Sequence, residues 1–150
     1  MLTEELAKLF DRDIAKLKTE IAAYRDESRL WVTEASISNS GGNLCLHIMG
    51  NLQHYIGHIL GGSGFIRNRP EEFNRKDIPV IKLCAELDHI QILIPETLRS
   101  LKSDQLSAEY PEKIFQEPMT TAFFLLHLYA HLNYHLGQIN YHRRLLDKEK

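Results

Sequence analysis

Excess charge of one sign, paired cysteines and long apolar runs are all scarce in this chain, and each scarcity removes a class of function. Lys and Arg total 18 against 20 Asp and Glu, a formal net charge of −2 with a pI near 6.4. Nucleic-acid binders gather Lys and Arg into a stripe, whereas here the basic residues are scattered. The pair Arg143-Arg144 falls at an expected helix end, where a cation complements the helix dipole. No nucleic-acid partner is expected. The only two cysteines, Cys45 and Cys84, form no C-x-x-C pair and no secreted-type framework. They read as reduced thiols of a cytoplasmic protein. The opening residues Met1-Leu2-Thr3-Glu4-Glu5 lack the basic-then-apolar order of a signal peptide. No stretch approaches the ~18 uninterrupted apolar residues of a membrane span, so no membrane partner is expected either.

What is present is an ordinary globular composition with helical patterning. The 150 residues, 43% hydrophobic and 25% charged, fit one domain over 1–150. Leu2, Leu6, Leu9, Phe10, Ile14, Leu17, Ile21 and Tyr24 recur at spacings of three and four. They predict a first helix over about 3–26, with Thr3 as N-cap ahead of two acids. Ser38 to Gly42 reads as a loop, followed by a second helix over about 43–60 that stops at Gly61-Gly62-Ser63-Gly64. These glycines follow a helix and lack the Lys-Ser/Thr of a phosphate loop. A connection over 65–77 leads to a third helix over about 78–102, with Asp77 as N-cap, Pro79 in the first turn and a kink or break at Pro95. A loop with Pro111 and Pro118 precedes a fourth helix over about 120–146. There are no period-2 runs and no internal repeat. The fold expected is all-α, a four-helix bundle with long connections.

Eight histidines are the chemical signal, at positions 47, 54, 58, 89, 127, 131, 135 and 142. Seven of them fall in the second and fourth helices. On the fourth, His131 and His135 are about 40° and one turn apart, so their imidazoles can converge on one ion. Gln138 and His142 lie within about 60° of that direction. On the second, His47, His54 and His58 share a face within about 40°, spread over roughly 16 Å. A lone buried histidine is usually just hydrogen-bonded, and an H-x-x-x-H pair by itself is weak. Two histidine rows on two long apolar helices need a common explanation, because unpaired polar groups in a core are costly.

The acids are missing where such a site would want them. No Asp or Glu occurs in residues 35–70 or 118–146. That removes the Glu of H-E-x-x-H zinc proteases and the paired E-x-x-H segments of a di-iron bundle. Glu86 to His89 is the one such spacing found in a helix. An all-imidazole site favours Zn, Ni, Co or Cu over Mg or Ca. Three neutral histidines with an open fourth position are of catalytic type, able to acidify a bound water or thiol.

Asn43-Leu-Cys-Leu-His47-Ile-Met-Gly-Asn-Leu52 resembles the helix-two motif of the DinB/YfiT-like superfamily. His127-Leu-Tyr-Ala-His131-Leu-Asn-Tyr-His135-Leu-Gly137-Gln138 resembles its helix-four motif, and Arg67-Asn-Arg-Pro-Glu-Glu72-Phe73 is similar to a segment of one branch. The resemblance covers nearly the whole chain. It implies a four-helix bundle, commonly a homodimer, with metal held by His47, His131 and His135. It also implies a thiol S-transferase or isomerase activity in some members, with a low-molecular-weight thiol as cofactor. One departure is Leu136, where the superfamily often carries Arg.

The function expected is therefore a divalent-metal protein, with Zn or Ni foremost. It would be a metal-dependent thiol transferase or hydrolase acting on a small-molecule substrate. The alternative is a metal-binding or stress-response bundle without turnover. His54 and His58 form a rival pair, read as supporting, core or surface residues rather than ligands. Trp31 is read as a core or lid aromatic rather than a stacking platform, and Tyr134 as a packed tyrosine rather than a donor to substrate. Cys45 points roughly 160° from His47 on an ideal helix, making it a poor ligand.

Overall fold

Six α-helices and no strand are found among residues 1–148, the residues described by a computed structural model of the chain. The long ones are α1 (Leu2–Ala22), α2 (Gly41–Leu52), α4 (Val80–Ser100) and α6 (Thr121–Leu146), joined by short α3 (Arg69–Asn74) and α5 (Ser103–Ser107). A 3-10 turn, Glu27–Trp31, follows α1, and an isolated bridge pairs Glu109 with Thr120 ahead of α6. None of these helices is long and apolar enough to cross a membrane.

The expected stripe buries α1 as predicted. Leu6, Phe10, Ile14, Leu17 and Ile21 are all within 1% of full burial. They meet α4 through its own row, Leu83, Leu87, Ile90, Ile94 and Leu98, and meet α6 along its inner face. The helix begins a residue early, capped by Met1 rather than Thr3, and stops at Ala22. Tyr24 extended the apolar pattern because it is buried, but it packs from the turn that follows rather than from the helix. Asp13 is fully buried on the same helix. Its carboxylate accepts from Arg12, from the Tyr129 hydroxyl at 2.5 Å and from Asn133 at 3.0 Å, tying α1 to α6.

The second helix departs most from expectation. All twelve residues of α2 are buried, so it is a central rod rather than an amphipathic one. It starts at Gly41, inside the expected loop, where the Ser40 side chain accepts from the Asn43 N–H. Gly41 and Gly42 are needed there for close approach. A Cβ would lie 2.6 Å from the Tyr24 hydroxyl at the first and 2.6 Å from the Trp31 ring at the second. Trp31 thus covers the start of α2. Beyond Leu52 the helix continues as a π-turn, Gln53–His58, with i→i+5 bonds such as Ile59 N–H to His54 O at 3.0 Å.

The third expected helix begins two residues late. Pro79 is its N-cap, and Asp77 sits at φ +59° in the connection. Pro95 neither ends nor interrupts α4. A mid-helix proline costs about 3 kcal/mol. Ile94 and Leu98 flank it, both fully buried, and each is worth about 1.5–3 kcal/mol in the core. Burial wins, and the helix continues to Ser100. The fourth begins as expected, with the Thr120 hydroxyl accepting from the Phe123 N–H. The expected connection over 65–77 contains a short helix of its own, α3. Its cap is Asn68, with Pro70 in the first turn.

Candidate metal centre

The structure brings His47, His131 and His135 together. One nitrogen from each lies within 4.8 Å of the others. The Nε2 of His131 is 3.1 Å from that of His47 and 3.1 Å from that of His135. His47 comes from the buried rod α2, and the other two from successive turns of α6.

The outer nitrogens settle the tautomers. A carboxylate cannot donate, so His47 Nδ1–H donates to Glu72 Oε1 at 3.0 Å. His135 Nδ1–H donates to Gln138 Oε1 at 2.7 Å. Both rings therefore turn an Nε2 lone pair toward His131. A single Nε2–H on His131 satisfies one of the two 3.1 Å contacts and leaves the other as facing lone pairs. A shared cation relieves that conflict. Two nitrogens 3.1 Å apart, each about 2.0–2.1 Å from one ion, subtend about 100° at it, between the octahedral and tetrahedral angles. The donor set fits a borderline divalent metal.

Electrostatics point the same way. Burial, followed by the neighbouring His135 and His47, pushes His131 down to about 3. Burial also lowers His135, although its bond to Gln138 opposes this. Both imidazoles are thus neutral, the ligating form, at ordinary pH. Burial alone would raise Glu72, but the bonds from His47 and Arg67 outweigh it and hold the carboxyl below its usual range.

Glu72 was not found from sequence. It lies just past the acid-free stretch and 25 residues from His47. Arg67 clamps it, donating from Nε to Oε2 at 2.9 Å and from Nη2 to Oε1 at 3.0 Å. The buried Asn43 amide donates to the Glu72 and Arg75 carbonyls, both at 2.9 Å, and so fastens α3 to α2. Gly50 leaves the room, since a Cβ there would lie 1.9 Å from Glu72 Oε2. Phe73 packs on the His47 ring at 5.0 Å. A ligating histidine backed by a carboxylate is the usual outer arrangement of protein metal sites. The signals in sequence were Asn68-Arg-Pro-Glu-Glu72, which reads as a capped helix start, and a glycine inside a helix.

The remaining histidines go elsewhere. His54 pairs with Glu112 at 3.1 Å, and His58 Nδ1 accepts from the Gly64 N–H. His142 Nε2–H donates to the Val32 carbonyl at 2.8 Å, so its Nδ1 accepts from the Tyr24 hydroxyl. His127 is stacked against Phe124 on the α6 surface. His89 is exposed, and Glu86 accepts from Gln53 instead. Tyr134 is not packed as expected. It is 66% exposed, because its position on α6 faces outward, with its edge toward His135. Both cysteines are free, and burial pushes the Cys45 thiol well up, so it is no thiolate ligand.

The family model described as "Protein of unknown function (DUF1572)" matches residues 3–150, and the chain belongs to that family. No curated protein matches.

Proposed function

We propose that this member of the family binds one divalent transition metal, Zn or Ni foremost, through His47, His131 and His135. The observation that carries the proposal is the convergence of three Nε2 atoms whose rings are oriented from behind by Glu72 and Gln138. With three protein ligands, a fourth position stays open, and a metal held this way acidifies a bound water or thiol. Glu72, kept ionised by Arg67, orients His47 and raises its basicity toward the ion. Gln138 does the same for His135 without adding charge.

On this basis the chain is a four-helix bundle of the DinB/YfiT type and a metal-dependent enzyme, a thiol S-transferase or a hydrolase. It would act on a small-molecule substrate, with a low-molecular-weight thiol as candidate cofactor. Its two free cysteines fit a cytoplasmic setting, and the resemblance favours a homodimer. Elemental analysis of gently purified protein tests the core of the proposal. About one equivalent of Zn or Ni per chain is expected, and none at all would reject it. Thiol-transfer and ester-hydrolysis assays with the metal restored separate an enzyme from a metal-binding bundle without turnover. Light scattering at micromolar concentration should report a dimer.

A further inference from the structure

A groove of about 540 Å³ reaches the candidate metal centre at His135, between α6 and the residues 36–39 that lead into α2. His135 forms part of its wall, so a molecule lying in it abuts the centre. No Asp, Glu, Lys or Arg lines it, and its polar groups include the hydroxyls of Ser36 and Ser38 and the amides of Asn39 and Gln138. The neighbouring hollows differ. The groove on the far side of α6 carries Arg12, Lys16 and Glu20, and the cavity under α3 carries Glu71, Arg75 and Glu86. Neither of those two hollows shares the uncharged lining of the groove at His135.

Apolar surface collects there too. Ile37, Tyr134, Tyr141 and Leu145 line the groove while 40%, 66%, 64% and 54% exposed. Arg67 is clamped on Glu72, and Arg144 lies over the Tyr141 ring, 5.4 Å from its centroid, at the edge of the groove without lining it. Gln138 spends its carbonyl on His135, which leaves its amide N–H groups to donate to a ligand.

We propose that this groove receives an uncharged amphiphilic organic molecule, with an aromatic or aliphatic body and a hydroxyl, carbonyl or amide. The inference rests on the metal reading of the centre and names the substrate class for it. An apolar body takes the exposed rings and alkyl groups out of water. The wall's hydroxyls and amides satisfy neutral polar groups. A carboxylate or ammonium would lose hydration against a wall that offers no countercharge.

Cobalt(II)-loaded protein titrated with 4-(mercaptomethyl)benzamide and with 4-(mercaptomethyl)benzoate tests this, because the two probes are nearly isosteric and differ in the charge of the tail. Each binds as thiolate, releasing its thiol proton to buffer, and sulfur-to-cobalt charge-transfer absorption reports occupancy. The neutral thiol should bind about tenfold more tightly, as expected when one probe brings an unpaired charge. Ser38→Arg, at an exposed position outside the histidine centre, should narrow or reverse that gap. Equal or tighter binding of the carboxylate, no thiol binding at all, or a gap untouched by Ser38→Arg would overturn the groove assignment while leaving the metal site standing. Failure to take up cobalt would overturn both. Light scattering that finds a dimer split by Ser38→Arg would give the groove to a second copy of the chain instead.

Discussion

Two H-x-x-x-H pairs, His54/His58 and His131/His135, carry the same spacing and reach opposite ends. On α6 the backbone is a regular α-helix, so the four-residue step brings two imidazoles edge to face, 4.5 Å apart, centroid to centroid. At the end of the second helix the backbone loosens into a π-turn, and the His54 and His58 rings stand 6.3 Å apart. A π-turn turns less per residue than the 100° of an α-helix. The face that aligned His47 with His54 and His58 on an ideal helix is therefore lost. His54 swings to Glu112, and His47 alone stays with the α6 pair. Spacing makes a ligand pair only where the backbone keeps its period and a third imidazole faces it.

The largest expected effect breaks the comparison directly. His135→Ala should abolish stoichiometric metal, since two protein ligands remain, fewer than zinc or nickel sites retain. His58→Ala should leave metal content unchanged when both proteins are purified identically. The helices should survive either change, as judged by circular dichroism, because leucines and other apolar side chains build the core.

The supporting carboxylates sharpen it. Glu72→Gln should weaken metal binding by about 10–100-fold, the usual cost of losing an outer-sphere partner. Glu112→Gln, which removes the partner of His54, should not change the affinity measured by competition with a chelator.

Two glycines, one in α2 and one in the π-turn that continues it, give a smaller contrast. Ala is favoured over Gly within a helix by about 1 kcal/mol, yet at Gly50 its Cβ would strike the Glu72 carboxyl. Gly50→Ala should therefore lower metal affinity, by less than the Glu72 change. At Gly57 the nearest atom is the Leu93 Cδ2 at 3.0 Å, the end of a flexible side chain, and affinity should hold. Isothermal titration on the two variants would reject the Glu72 role if both behave alike.

The smallest effect is a stability slope in the metal-free protein. His131 is held at about 3 when folded, against about 6.5 unfolded. The unfolded chain thus binds the proton first, so this stability is complete above about 6.5 and is lost as pH falls toward 3. Asp13, held at about 2 because bonds from Arg12, Tyr129 and Asn133 outweigh its burial, acts in a separate window. Its contribution is present above about 3.9 and is lost below that. His131→Gln should flatten urea-measured stability between pH 6.5 and 4, while His58→Ala should leave the slope in place.

Local chemistry by itself determined a good deal of this protein. The apolar period marked α1, the loop with Pro111 and Pro118 marked the start of α6, and the step from His131 to His135 set two converging imidazoles. These depend on hydrogen bonds and side-chain neighbours within one turn, which the order of residues states outright. Only the tertiary structure decided which other histidine faces that pair, where the acid-free stretch receives its carboxylate, and whether Pro95 ends a helix. Each of those depends on contacts between distant residues: His47 with His131, Glu72 with His47 across Gly50, and Ile94 and Leu98 in the core. A local pattern cannot state them, because a π-turn or a proline is tolerated according to what packs against it, and that is fixed when the chain closes on itself.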